Sequence, residues 1–247
     1  MSLKLTVRDV DSPSAFAERA STLMKKRFLQ AIYREWAERL AAGTTPGLTL
    51  EIGGGSNPVT ASVFAKLGTL RLDLVKLPSV QIQGDALSFP IRTQSVANVL
   101  GIDVLHHFQS AAKFFSETAR ILQIGGQIRL VEPWNNRWSR FVYQTFHPEP
   151  FDPNGSWELP QGGPISSANS ALPWIVLERD RQVFETLFPD LRVLSITPLM
   201  PLAFILSGTT SYRLSIPGSL YRAIRFMERP IESRQVGLSA MIVIQKV

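Results

Sequence analysis

Three carboxylates, Glu51, Asp73 and Asp85, stand where strand-like segments of this chain end. The first leads into Gly53-Gly54-Gly55-Ser56-Asn57-Pro58, a glycine turn running directly out of an apolar segment at 48–52. Missing Cβ atoms let such a backbone bend and let a ligand approach its N–H groups. Asp73 lies 22 positions after Glu51. It can accept hydrogen bonds from both hydroxyls of a ribose. Asp85, in Gly84-Asp85-Ala86, can accept from an exocyclic amine such as that of adenine. Three acidic ends on neighbouring strands predict a nucleoside pocket.

A dinucleotide site wants glycine at three spaced positions. Here Gly53 and Gly55 fill two of them and Pro58 the third. Pro58 removes the close helix–strand contact, and Glu51 would repel a pyrophosphate. A ligand carrying an ammonium and a sulfonium, S-adenosylmethionine, suits the acid better. The chain has three histidines, His106, His107 and His147. His106 and His107 follow a strand-like segment at 96–102, just past its end. Either is a candidate base or substrate-positioning group. No metal site is expected, because neighbouring histidines rarely converge on one ion.

The elements that must hold these residues alternate. Residues 13–42 read as one helix, with Ser12 or Ser14 as cap. Strands follow at 48–52, 69–74, 80–83, 96–102 and 127–131, with helices at 60–67 and 110–122. Alternation at this pitch implies right-handed crossovers and a parallel sheet covered on both sides. Residues 133–173 read as a long aromatic excursion, 174–188 as a helix and 191–197 as a strand. A second excursion at 198–236 carries a helix at 220–228, and 238–247 is a final strand. The expected fold is α/β: a Rossmann-like, seven-stranded, mostly parallel sheet with an antiparallel C-terminal strand, helices on both faces and two lid insertions. The expected organisation is one domain, 1–247, with a helical cap at 13–42, a cofactor-binding core at 48–132 and lids at 133–173 and 198–236.

Residues 48–132 resemble the class I S-adenosylmethionine-dependent methyltransferases, in particular their small-molecule, type 11-like group. The residues that carry the resemblance are Glu51, Gly53 and Gly55; Asp73; Asp85-Ala86-Leu87-Ser88-Phe89-Pro90; Val104-Leu105-His106-His107; and Ala119-Arg120-Ile121-Leu122-Gln123-Ile124-Gly125-Gly126. The resemblance implies that Glu51, Gly53, Gly54 and Gly55 hold the methionine end of the cofactor. It implies that Asp73 takes the ribose with Leu74 beside the adenine, that Asp85 and Ala86 read the adenine amine, and that Gly101 passes close to the cofactor. The family's third glycine is Asn57 here, the residue that best tolerates a positive φ in its place. The segment between Asp73 and Asp85 is too short for a crossover helix, so a loop is expected there.

Composition narrows the function further. With no Cys among 247 residues, disulfides and thiolate chemistry are excluded. No stretch is apolar for the ~20 residues that a membrane span needs, and the N-terminus shows no signal-peptide pattern, so a cytoplasmic enzyme is expected. The net charge of +6 rests on 26 Lys+Arg against 20 Asp+Glu. Arg222, Arg225 and Arg229 recur at helical spacing and form a stripe that could meet an anion or a membrane surface. The aromatic first excursion and the apolar Pro198–Leu206 segment suit an apolar acceptor, and the arginines an anionic one. The expected activity is methyl transfer to a small-molecule acceptor. An RNA methyltransferase, a nicotinamide-dependent oxidoreductase and a non-catalytic cofactor-binding module are the alternatives. Of these, RNA lacks any appended binding module or Asn/Asp-Pro-Pro-Tyr motif.

Overall fold

The computed structural model describes residues 10–55, 57–210, 216–233 and 235–247. Residues 1–9 of the N-terminal stretch read for a signal, Ser56 of the glycine turn, and six residues of the second excursion lie outside the described residues.

The expected first helix is two. A helix α1 spans Pro13–Lys25 and α2 spans Arg27–Ala41. The break falls at Lys26, whose backbone leaves the helical region (φ −108°, ψ 85°). Its buried ammonium donates to the carbonyls of Gly208 (3.2 Å) and Thr209 (2.7 Å). Periodicity could not show this, because the break serves a contact 182 residues away. The consequence is functional: α2 packs on the sheet while α1 turns over the crevice.

The sheet has seven strands in the order β3-β2-β1-β4-β5-β7-β6. These are β1 (Thr49–Ile52), β2 (Leu70–Asp73), β3 (Ile82–Gln83), β4 (Val96–Ile102), β5 (Leu122–Pro133), β6 (Leu191–Leu199) and β7 (Ser239–Lys246). The first five pair in parallel, and β7 is antiparallel to both β5 and β6. This is the expected architecture. No helix intervenes between β2 and β3, as the short spacing implied. The fifth strand, expected at 127–131, is longer and runs from Leu122 to Pro133, so Gly125 and Gly126 lie inside it.

Strand side chains alternate between two cores, as period two requires. Val99, Ile128, Leu130, Ile242 and Ile244 face one side. There they meet Phe114 and Phe115 of α4 (Ala111–Ile121), capped by Ser110, and Phe184 of α7 (Arg181–Leu187). Leu100 and Val131 face the other side. They meet Phe28, Ile32, Trp36 and Leu40 of α2 and Val63 and Phe64 of α3 (Pro58–Phe64). The helix read over 174–188 is segmented into a short α6 (Leu172–Trp174), a wide π turn (Ile175–Arg179) and α7. The first excursion hides another helix, α5 (Arg137–Phe146), started by an Asn136–Ser139 capping box. The second contains α8 (Ala203–Leu206) and α9 (Tyr221–Glu228). Among the described residues no helix is long and apolar enough to cross a membrane.

The aromatic residues of the first excursion divide between surface and core, with Phe141 and Phe146 exposed. Trp134, Tyr143 and Phe151 are buried, and Tyr143 stacks on Phe151 at 5.1 Å. The arginine stripe is also internal at its centre. Arg225 is 2 % exposed. It donates to Glu35 (2.8 Å), Glu232 (2.6 Å) and the fully buried Glu228. Three carboxylates consume the charge that was expected to face a partner.

Candidate functional site

The carboxyl ends of β1, β2 and β4 form one crevice, and three adjoining cavities open along it. The first, of about 160 Å³, is lined by Glu51, Gly53, Gly54, Gly55, Asn57 and Thr60 from the glycine turn and by Phe16, Arg19 and Leu23 from α1. A second, of about 260 Å³, is lined by Asp73, Leu74, Asp85, Ala86 and Phe108, under Gly162 to Ile165. The third, of about 130 Å³, is lined by Tyr33, Asp103, His106, His107, Tyr143, His147, Glu149 and Phe204. Asp103 and Ile165 border all three.

The glycine turn is shaped for close approach. Gly53 and Gly55 have φ of 60° and 50°, values that a side chain resists. A Cβ on Gly53 would stand 2.3 Å from Val104 Cγ2. Glu51 pins the turn from below. Its carboxylate accepts from Arg71 Nε (2.6 Å) and from the Thr60 hydroxyl (2.9 Å), while Arg71 also donates to the Gly54 carbonyl (2.8 Å). Burial still pushes the Glu51 acid above its ordinary range, against the pull of Arg71. Asn57 works differently from expectation. Its φ is −76°, and its side chain caps α3 by accepting from the N–H groups of Val59 (3.0 Å) and Thr60 (3.2 Å).

Asp73 closes the turn from the side. One carboxylate oxygen accepts from Gly55 N–H and the other from Val75 N–H, both at 2.9 Å. Each oxygen retains acceptor capacity for a hydroxyl. Burial raises the Asp73 pKa. Asp85 is exposed at the crevice edge, with one oxygen accepting from Leu87 N–H (2.8 Å). Gly101 does not border the cavities. A Cβ there would press on Val104 (2.6 Å) and Leu130 (2.9 Å), so this glycine serves core packing, and the neighbouring Ile102 and Asp103 reach the crevice instead.

Asp103 has a left-handed backbone, φ 53°, uncommon for a residue other than glycine and tolerated best by Asn and Asp. Its N–H donates to the Val131 carbonyl (2.9 Å), and Tyr33 donates to its Oδ2 (3.4 Å). Burial, with the negative charges of Glu132 and Glu149 nearby, lifts the acid to about 7 although His106 pulls it down.

The histidines converge, contrary to the expectation that neighbours diverge. A tight helical turn at Leu105–His107 brings the two rings to 4.2 Å, tilted by 39°. His106 Nδ1 lies 2.7 Å from Oε2 of Glu132, and its Nε2 lies 3.3 Å from Oε2 of Glu149. Burial disfavours its charge, but the two carboxylates hold the imidazolium to about pH 10. His106 is therefore no base at neutral pH. His107 donates from Nδ1 to the Ser167 carbonyl (3.1 Å). Burial and the adjacent His106 charge lower it to about 4, so its ring is neutral. His147 Nδ1 is 3.7 Å from the same Glu149 carboxylate. Glu132, near the end of β5, is fully buried. It accepts from Val104 and Leu105 N–H (2.9 and 2.7 Å) and holds His106 in place.

The sequence reading missed Asp103, Tyr33, Arg19 and Glu149. Asp103 stands just beyond a strand end, the same signal that selected Asp73. Tyr33 and Arg19 sit on helices whose placement depends on the break at Lys26. Glu149 lies in irregular chain and carries no local signal.

The geometry has relatives. Residues 51–130 match the family model described as a methyltransferase domain. The fold matches the crystal structure of geranyl diphosphate C-methyltransferase from Streptomyces coelicolor A3(2), at 11% identity and a TM-score of 0.51, over 85% of this chain and 79% of that one. It also matches a putative methyltransferase complexed with the Trm112 methyltransferase activator of Haloferax volcanii, at 14% identity and a TM-score of 0.55, over 98% and 99%. A third match is a putative methyltransferase from Bacillus halodurans C-125, at 15% identity and a TM-score of 0.51, over 85% and 98%. Among curated proteins none matches significantly.

Proposed function

We propose that this chain, a class I S-adenosylmethionine-dependent methyltransferase by its fold and its core domain, methylates a small polar acceptor bound over Asp103. The residues present fit the cofactor. The glycine cradle and the acids Asp73 and Asp85 line adjoining cavities, and their spare acceptor capacity suits hydroxyl and amine donors. The first cavity would take the methionine end beside Gly53 to Gly55, with Arg19 of α1 facing its carboxylate. The second would take the ribose at Asp73 and the adenine between Leu74, Asp85, Ala86 and Phe108. When bound, S-adenosylmethionine supplies an electrophilic methyl group on a sulfonium.

The observation that carries the acceptor reading is the meeting of all three cavities at Asp103. A carboxylate with a pKa near 7 is suited to take a proton at neutral pH. In this role Asp103 accepts the proton that an acceptor oxygen or nitrogen loses. Tyr33 orients it, and the neutral His107 offers a second polar contact on the same wall. The third cavity is small and roofed by Ile165, Phe204 and Thr210, which supports a small molecule over a polynucleotide. Most of the residues lining it carry a polar or titratable group, which favours a polar acceptor over the apolar one that the lid sequences suggested.

Two experiments test the reading. Calorimetry should give heat with S-adenosylhomocysteine and none with NADH. Incubation of the full chain with methyl-labelled cofactor and fractionated cell extract should label a small-molecule fraction. Label confined to RNA would overturn the acceptor reading while leaving the cofactor reading intact.

A further inference from the structure

We propose that His106, His107 and Glu149 form a binding site for one divalent transition-metal ion. Their ligand atoms, one from each residue, lie within 4.8 Å of one another. His106 Nε2 is 3.3 Å from one Glu149 oxygen, and His107 Nε2 is 3.9 Å from the other. An ion about 2.0–2.2 Å from each donor holds neighbouring donors roughly 3.0–3.4 Å apart. The His106–Glu149 pair is already within that range, and the widest pair, at most 4.8 Å apart, must close by at most about 1.4 Å to reach it.

The surroundings of the two rings provide an independent argument. A metal-binding histidine usually donates its other ring N–H to a carboxylate or a backbone carbonyl, which fixes tautomer and orientation. Both rings have such partners. His106 Nδ1 meets Glu132 at 2.7 Å, and that fully buried carboxylate is anchored by the N–H groups of Val104 and Leu105. His107 Nδ1 meets the Ser167 carbonyl at 3.1 Å. Each Nδ1 is thus directed away from the cluster and each Nε2 toward Glu149. As the structure stands, His106 Nε2 shares a proton with Glu149, and the ion would take that proton's place.

Two imidazoles and one carboxylate are a donor set for zinc, iron, cobalt or nickel rather than for magnesium or calcium, which prefer oxygen ligands alone. Three protein ligands leave coordination positions open, and here they face the cavity bordered by Tyr33, Asp103 and His147. An acceptor oxygen entering that cavity would complete the coordination and be acidified by it. This last consequence rests on the proposed function, whereas the site itself does not.

The test uses the full chain stripped with a chelator and titrated with Co²⁺, then with Zn²⁺ in competition. One equivalent of Co²⁺ should develop visible ligand-field bands, and one equivalent of Zn²⁺ should abolish them. Glu149→Gln and His107→Gln should each weaken Co²⁺ binding at least tenfold, with circular dichroism confirming the fold. If Glu149→Gln does not fold, His107→Gln decides the question. Absence of bands, or affinity unchanged in the folded variant, would overturn the site and leave the cluster as a buried ion pair. Heat with S-adenosylhomocysteine, measured on the same stripped protein, reports separately on the cofactor reading.

Discussion

Asp103→Asn separates the catalytic reading of this carboxyl from a purely architectural one. An Asp acid raised from 3.8 to about 7 corresponds to about 4 kcal/mol at 1.36 kcal/mol per pH unit. Asp103 borders open cavities, so water and Tyr33 relax part of this, and about half, roughly 2 kcal/mol, is the expected net effect. The sign follows from proton binding. Between pH 3.8 and about 7 the folded state keeps a proton that the unfolded chain has released, so stability falls as pH rises through that window. Above pH 7 the folded protein carries a charge that burial opposes. The groups facing it are Tyr33, His106, Glu132 and Glu149, and all remain in the variant. Asn also tolerates the left-handed backbone. Thermal unfolding of wild type and Asp103→Asn at pH 4.5 and 8.5 reads the effect. The variant should melt roughly 4–8 °C higher at pH 8.5, at about 2–4 °C per kcal/mol for a chain of this size. At pH 4.5, where the unfolded acid is already largely ionised, the gain should fall to about a quarter to a half of that. Methyl transfer should meanwhile drop by about 10²–10⁴-fold through loss of the base. An equal gain at both pH values, or a loss at pH 8.5, would refute the argument that Asp103 is a strained acid.

Three further outcomes follow. Asp73→Ala should weaken S-adenosylhomocysteine by roughly 10- to 100-fold in calorimetry, the value of hydrogen bonds to a charged acceptor, and unchanged affinity would remove the ribose assignment. Gly53→Ala must place a Cβ 2.3 Å from Val104 at a φ of 60°, so urea denaturation should show about 2–5 kcal/mol lost from backbone strain and overpacking together. Arg225→Ala leaves Glu35, Glu228 and Glu232 without their common cation, at about 3–5 kcal/mol. Glu35 is the pH reporter: its burial is outweighed by Arg225 and Tyr221, which hold it at about 2. In the variant the deficit should shrink as pH falls toward 4.5 and the glutamates protonate, and a deficit independent of pH would contradict the clamp.

What the sequence disclosed was set by how locally each feature is determined. The strand ends carrying Glu51, Asp73 and Asp85 were legible because a short apolar run stopped by an acid or a glycine fixes its own geometry. β4 was legible to the residue, since Val96–Ile102 is buried nearly throughout and needs no tertiary context to be extended. The break at Lys26 was not, because the ammonium's partners, Gly208 and Thr209, arrive from the other end of the chain. The role of Asn57 was misread for a related reason. The turn already obtained its positive φ from Gly53 and Gly55, so position 57 was left to begin a helix, and Asn is among the best residues to do that. The convergence of His106, His107 and His147 on Glu149 had no sequence signal. It depends on α5 returning the chain so that 147–149 lies against the turn at 105–107.

The basic balance of the chain also acquires a physical account. Arg71 is held beneath the glycine turn by Glu51. Arg129 donates to the carbonyls of Leu40 (2.9 Å) and Arg39 (3.4 Å) at the end of α2, and Lys246 donates to those of Ala119 (2.6 Å) and Leu122 (3.0 Å) at the end of α4. Helix C-termini attract cations through their unpaired carbonyls, so Arg129 and Lys246, unlike Arg71, are bound by backbone rather than by acids. They account for two of the six excess positive charges. Arg19 is the exception that bears on chemistry, since it borders two of the three cavities. A charge count averages over all of these, and only the position of each cation distinguishes one that caps a helix from one that can receive a ligand's carboxylate.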